Sequence, residues 1–196
     1  MKIAMPAAVL NGGASRRMGR PKGALPYGAS TLLEYQTSRL ASLFDEVLVV
    51  AKEAPEYATG PARVVLDGEP ERAAIHGLIR ALEEADDRIF VLAVDHPAVP
   101  PALLRAIACR SLSGDASAVI PRAHGRLQPL AAVWRRRALD TARRRVAAGE
   151  LSLHGLAREV AADVFDETQW SAIDPSGAAF ANLNTLTDYA ANRERA

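Results

Sequence analysis

The chain has one cysteine, Cys109, so no intrachain disulfide can staple it, and its compartment reads as unspecified or reducing. Its four histidines, His76, His96, His124 and His154, stand 20 or more residues apart, which excludes a local helical metal-ligand pair. Aromatic residues are 5% of the chain, too few for the stacking platforms that grip single-stranded nucleic acid. A net charge of +1 gives no global pull towards nucleic acid or membrane, so any cationic site has to be local. No apolar run approaches the roughly 18 residues of a transmembrane helix. The opening MKIAMPAAVL has the look of a signal peptide, but it is short and runs into a glycine loop with no small-residue cleavage site. The expectation is a cytoplasmic protein with no nucleic-acid and no membrane partner.

What is present suits an α/β protein. With 196 residues, 49% of them hydrophobic, the chain is long enough to bury a core, and one domain covering 1–196 is expected. Pro6–Leu10 reads as a short buried strand. Thr31–Phe44 reads as an amphipathic helix with Leu33, Thr37, Leu40 and Phe44 on one face and a capping-box spacing at Thr31 and Glu34. Strands follow at Glu46–Ala51 and Ala62–Leu66, then a helix over Glu71–Ala85 with Ile75, Leu78, Ile79 and Leu82 together. Arg88–Val94 is a continuous apolar run, as in a central strand covered on both faces. A helix over Pro100–Leu112 is next, then strands in ASAVIPR and QPLAAVW. The rest is mostly helical, with a weak strand at Ala162–Phe165 and a short extended piece that feeds a terminal helix. Such alternation implies crossover connections, a mostly parallel central sheet flanked by helices, and three layers.

In such a sheet, ligands bind beyond the carboxyl ends of the strands. LNGGASRRMGRPKGAL, Leu10 to Leu25, begins there. It holds four glycines, three arginines and one lysine and no acidic residue. It is neither a Walker loop, since Lys22 is followed by glycine, nor a dinucleotide fingerprint. It still suits phosphate: Gly12 and Gly13 let the backbone approach an anion, and Arg16, Arg17 and Lys22 add charge-assisted donors. Asp95, at the end of the most apolar strand, is placed to hold Mg²⁺ beside phosphate, or else to serve in a turn. Asp67 also follows a strand directly and reads equally as a ribose or base contact and as a helix cap. Asn182 and Asn184 share a face if extended, and Asn184 also reads as a cap. Two arginine triplets, Arg135–Arg137 and Arg143–Arg145, fall on one expected helix. They read first as a solvated face and second as a patch for an anionic ligand or partner.

The opening stretch resembles the L-x-G-G-x-S-x-R-M-G-x-x-K signature of the nucleotidyltransferases of molybdenum cofactor maturation. The likeness continues in order through VLDGEPERAAIHGL, VLAVDHP, RLQPLAAVW and NLNTLTDYA, from Leu10 to about Tyr189. The chain is therefore similar to the molybdenum cofactor guanylyltransferase family, the molybdopterin-guanine dinucleotide biosynthesis protein A family. The resemblance implies a Rossmann-like nucleotidyltransferase fold, with GTP and molybdopterin or its molybdenum-bearing form as substrates, and GMP transfer with release of pyrophosphate. It implies Mg²⁺ as cofactor and cofactor-handling or molybdoenzyme proteins as partners. Residue by residue, it implies that Leu10, Asn11, Gly12 and Gly13 contact the nucleotide with main-chain groups. Arg17 and Lys22 hold the triphosphate and Asp67 the nucleotide. Asp95 binds the metal and acts with Arg17 and Lys22 in catalysis, and Asn182 and Asn184 lie on the pterin side.

The sequence departs from the family pattern at several points. Asn11 stands where alanine is usual, and Ala51 where asparagine or serine follows the second strand. Ala73-Ala74-Ile75-His76-Gly77 keeps only the last glycine of Gly-Pro-Leu-x-Gly, and Gln128-Pro129-Leu130 replaces His-Pro-Leu. Two alternatives stay open: the same fold transferring a cytidylyl group or acting on a sugar phosphate, and a degenerate nucleotide-binding accessory protein. The related cytidylyltransferases usually carry Leu-Ala-Ala-Gly, so the double glycine here favours guanine, a missing Cβ leaving space for the larger base. Gly13→Ala should then erode the preference for GTP over CTP in a turnover assay, and an unchanged preference would count against that role.

Overall fold

The computed structural model describes residues 1–12, 20–181 and 183. Strand β1 (Ile3–Leu10) comes first. After the basic loop come a small antiparallel hairpin, β2 (Pro26–Tyr27) and β3 (Ser30–Thr31), and helix α1 (Leu32–Ala41). Then follow β4 (Phe44–Ala51), β5 (Arg63–Leu66), α2 (Ala74–Glu83), β6 (Arg88–Ala93) and α3 (Pro101–Ser113). The rest is β7 (Ala118–Ala123), β8 (Arg126–Leu127), β9 (Ala131–Arg135), α4 (Leu139–Ala147), α5 (Leu153–Glu159), β10 (Asp163–Phe165) and α6 (Glu167–Trp170). The main sheet runs β10-β7-β9-β6-β1-β4-β5, with β8 paired to β7.

The strands are apolar on both faces because both faces are covered. Along β1, Ala7 and Val9 enter the core that α1 and α3 close, while Ala8 and Leu10 enter the one closed by α2, α4 and α5. The same alternation sends Phe90 and Leu92 of β6 one way and Ile89 and Val91 the other. This is the three-layer α/β arrangement expected from the sequence. Most pairings are parallel, but β9 runs antiparallel to both β6 and β7. Only residues 124–130 join β7 to β9, too few for a crossover, which needs about a dozen, so β9 has to return antiparallel.

Several boundaries differ from the periodicity. The first helix stops at Ala41, and Phe44 opens β4, where its ring lies 5.2 Å from that of Phe90. Phe44 fits the helical spacing because it faces the same core, reached through a turn rather than along the helix. Thr31 does cap α1, accepting from the Glu34 amide at 3.1 Å. Helix α2 begins at Ala74, not Glu71, and no side chain caps it. The extended piece expected near the end starts later: Ala178–Phe180 forms a 3-10 turn, and the terminal helix lies outside the described residues.

The arginine triplets do not share a helix. Arg135 ends β9, Arg136 and Arg137 lie in a 3-10 turn, and Arg143–Arg145 lie in α4. Their work is structural. Arg136 donates to the carbonyls of Leu82, Glu83 and Ala85, covering the carboxyl end of α2, where helices leave carbonyls without partners. Arg135 bonds the Ser111 and Gly114 carbonyls at the end of α3. Arg143 pairs with Glu83, Arg144 with Glu159, and Arg145 with Glu150 and Glu159. Arg137 pairs with Asp115, so each arginine of the two triplets has a carbonyl or carboxylate partner within the chain.

Glu83 joins α2 to α4. Burial pushes its carboxyl up, but hydrogen bonds from Arg143 and Arg80 outweigh this and hold it below its ordinary value. A depressed carboxyl contributes stability above its unfolded value and loses it as pH falls through the folded one. Thermal midpoints measured from about pH 6 to about pH 3 should therefore fall less steeply for Glu83→Gln than for the native chain.

Candidate active site

The carboxyl ends of four neighbouring strands, β6, β1, β4 and β5, lie level. Leu10 is in register with Val50 on one side and Ala93 on the other, and Ala51 with Leu66. The residues that follow each strand therefore surround one space. They form a cavity of about 220 Å³ lined by Leu10, Gly12, Val50, Ala51, Lys52, Asp67, Arg72, Ala73, Ala74, Gly77, Ala93, Asp95 and Leu130. Of the residues singled out in the sequence, Leu10, Gly12, Asp67 and Asp95 line it, and Lys22 reaches it through Asp95. Gly13, Arg17, Asn182 and Asn184 lie outside the described residues.

Asp95 is held from several directions. It sits in a turn closed by the His96 amide on the Ala93 carbonyl, at 3.2 Å. The buried Gln36 of α1 donates to the Val94 carbonyl, and Arg39 donates to the carbonyls of Pro97 and Val99. The Leu183 amide donates to the Asp95 carbonyl at 3.1 Å, bringing the late chain onto this strand end. The turn uses main-chain groups, which leaves the carboxylate to Lys22: Nζ lies 2.7 Å from Oδ2. Asp95 is thus a turn residue whose carboxylate stands at the cavity. The side chains of Lys22 and Asp95 are each about one-fifth exposed, so the pair borders the cavity.

A second ion pair stands opposite. Lys52 Nζ lies 3.0 Å from Asp67 Oδ1 and 2.6 Å from the Glu69 carbonyl. Asp67 Oδ1 also accepts from the Glu69 amide at 3.1 Å. This answers the cap question for Asp67: it closes its own loop instead of capping α2. Lys52, one position after Ala51, was missed in the sequence. Its signal was available, since a charged residue directly after a parallel strand faces the crevice. Arg72, just before α2, was missed likewise.

The main chain narrows the expected contacts. The Leu10 carbonyl accepts from Val94 and the Asn11 amide donates to Val50, so both are engaged in the sheet. Leu10 presents its side chain, against which a Cβ on Gly77 would stand 3.4 Å away. Gly12 leads the chain out of the sheet, and a Cβ added there would meet nothing within 4 Å, so protein packing does not demand glycine. Among the described residues no three His, Cys, Asp or Glu side chains cluster to hold a metal, and no helix is long and apolar enough to cross a membrane.

A lysine and a carboxylate thus meet at the carboxyl edge of a mostly parallel sheet, where ligands bind in folds of this kind. A family model described as MobA-like NTP transferase domain matches residues 7–164. The chain belongs to this family. It is 37% identical over 191 residues to a probable molybdenum cofactor guanylyltransferase of Chloroflexus aggregans, covering 94% of this chain and 91% of the relative. It is 35% identical over 186 residues to one of Mycobacterium avium, covering 92% and 90%. The fold is similar to that of molybdopterin-guanine dinucleotide biosynthesis protein A from Archaeoglobus fulgidus, with a TM-score of 0.84 and 22% identity over 97% of this chain and 98% of that one. It also matches 2-C-methyl-D-erythritol 4-phosphate cytidylyltransferase from Thermus thermophilus at a TM-score of 0.67 and 17% identity, over 100% and 98%.

In this nucleotidyltransferase the Asp67 side chain is only 7% exposed, and Lys52 is its cationic partner. Lys52→Ala leaves that carboxylate short of its cation. It should cost about 1–3 kcal/mol of stability by denaturant unfolding, and adding Asp67→Asn should return part of the loss.

Proposed function

We propose that the chain transfers GMP from GTP to molybdopterin or its molybdenum-bearing form and releases pyrophosphate. The observation that carries this reading is the Lys22–Asp95 pair at the edge of the sheet, reached from the glycine-rich cationic loop. The names of the relatives support the choice of substrate. Lys52 and Asp67 line the same cavity and add a cation and an acceptor that a bound nucleotide can meet. Gly12, free of any packing demand, leaves space for a ligand to lie against the backbone.

The nucleophile is a phosphate oxygen of the pterin, already an anion, so the chain need supply no strong general base. The oxygen attacks the α-phosphorus of GTP, the bond to the β-phosphate oxygen breaks, and pyrophosphate leaves in line. Catalysis then rests on positioning and on offsetting charge. Without nucleotide, Lys22 and Asp95 neutralise each other. A triphosphate gives Lys22 a more negative partner and Arg17 a second point of attachment. Asp95 offers one hard carboxylate oxygen donor beside the cavity, which fits Mg²⁺, an ion that takes one or two carboxylates and completes its shell with phosphate and water. When bound, such an ion supplies charge to polarise the α-phosphate. Asn182 and Asn184 flank Leu183, whose amide bonds Asp95, which supports a role for them on the acceptor side. Cofactor-handling or molybdoenzyme proteins are the proposed recipients of the product.

Incubation of molybdopterin with GTP, CTP or ATP and Mg²⁺ should yield the guanine dinucleotide in preference. Preferred use of CTP would make the chain a cytidylyltransferase, and binding without product would make it an accessory protein. Asp95→Ala and Lys22→Ala should each lose at least about 10²–10³ in turnover while staying folded. Near-normal turnover in either would overturn the site assignment.

A further inference from the structure

Asn11 is the residue of the opening loop to which the nucleotide reading gives least to do. Its amide is spent in the sheet, and its side chain is not among those lining the cavity. The side chain turns to protein. Nδ2 donates to the Tyr57 hydroxyl at 2.9 Å. A Cβ built on Gly23 would stand 2.5 Å from Asn11 Oδ1, 2.7 Å from the Tyr57 hydroxyl oxygen and 3.2 Å from Tyr57 Cε2. Three segments meet at this point: the start of the basic loop, its end, and the connection from β4 to β5. Gly23 is buried and its φ is not positive, so the backbone alone would accept another residue. Asn11 and Tyr57 fill the space a Cβ would take, so a larger residue at 23 fits only if these two side chains move.

Gly23 follows Lys22 in one 3-10 turn, closed by Ala24 donating to the Pro21 carbonyl and Leu25 to the Lys22 carbonyl, both at 3.0 Å. Tyr57 is half-buried against the core that α1 covers. Lysine is a flexible four-carbon stem, so where its ammonium stands depends on how firmly the backbone beneath it is fixed. We infer that Asn11 and Tyr57 form a brace that fixes the turn carrying Lys22 and so sets the place of its ammonium beside Asp95. Both are positioning residues.

The inference rests on the role proposed for Lys22, and the test separates the two. Asn11→Ala and Tyr57→Phe should each lower kcat about tenfold with KM for GTP within about twofold, because misplacement of a catalytic group weakens the transition state more than binding. In a Lys22→Ala background, Tyr57→Phe should add little, since residues acting through one another are not additive. Gly23→Ala should be more harmful than Asn11→Ala, and adding Asn11→Ala should bring it back to the level of Asn11→Ala alone, since this removes the side-chain amide and frees the Tyr57 ring to move. A full tenfold loss on top of Lys22→Ala, or a raised KM with unchanged kcat for Asn11→Ala, would overturn the brace, the latter by showing a direct nucleotide contact. An active Gly23→Ala enzyme would overturn it too. If Lys22→Ala keeps native turnover, the site assignment fails instead. The brace is then decided by thermal unfolding, where Gly23→Ala should lower the midpoint and Asn11→Ala should restore it, and no restoration would overturn the brace.

Discussion

A parallel strand buried on both faces has nowhere to place a charge except at its ends. In this chain the constraint acts on four adjacent strands at once, and their level carboxyl ends gather Lys52, Asp67 and Asp95 around one cavity. Lys22 arrives by the loop after β1 and completes the set. Everything polar in the site follows from that alignment. Lys22 and Lys52 are each paired with a carboxylate, Asp95 and Asp67, and Arg72 adds a further cation to the lining.

Around this edge the structure spends its remaining charge on holding backbone in place. Arginines that looked like a cationic face instead cover the carboxyl ends of α2 and α3 and tie α4 to its neighbours. Gln36 and Arg39 reach from α1 to the turn that carries Asp95. Asn11 and Tyr57 do the same for the turn that carries Lys22. The Asp95 turn is held by side chains bonded to its carbonyls, the Lys22 turn by side chains packed on Gly23. A site that works by placement and charge rather than by covalent chemistry depends on such anchoring.

Much of this was legible in the order of residues. Continuous apolar runs and amphipathic stretches mark the strands and helices, and the glycine-rich basic loop after β1 with Asp95 after the most apolar strand marks the edge where ligand is expected. The places that misled have a common cause. Phe44 continues a helical period although it begins a strand, since periodicity reports which core a residue faces and not how the chain reaches it. The arginine triplets are dense in sequence but are used one by one, because the carbonyls they satisfy belong to helices made elsewhere.

The sequence by itself determined the sheet-and-helix order, the family and the cationic loop, since these depend on neighbours within a few turns or on a contiguous motif. Tertiary structure alone decided the partners: Lys22 with Asp95 across 73 positions, Asn11 with Tyr57 across 46, and Lys52 with Asp67 across 15. Strand order and register decide which ends become neighbours, and local pattern carries neither. Asn11 shows the difference most plainly. In the sequence it was an unusual residue in a nucleotide loop, and in the fold it fills the space that Gly23 leaves open.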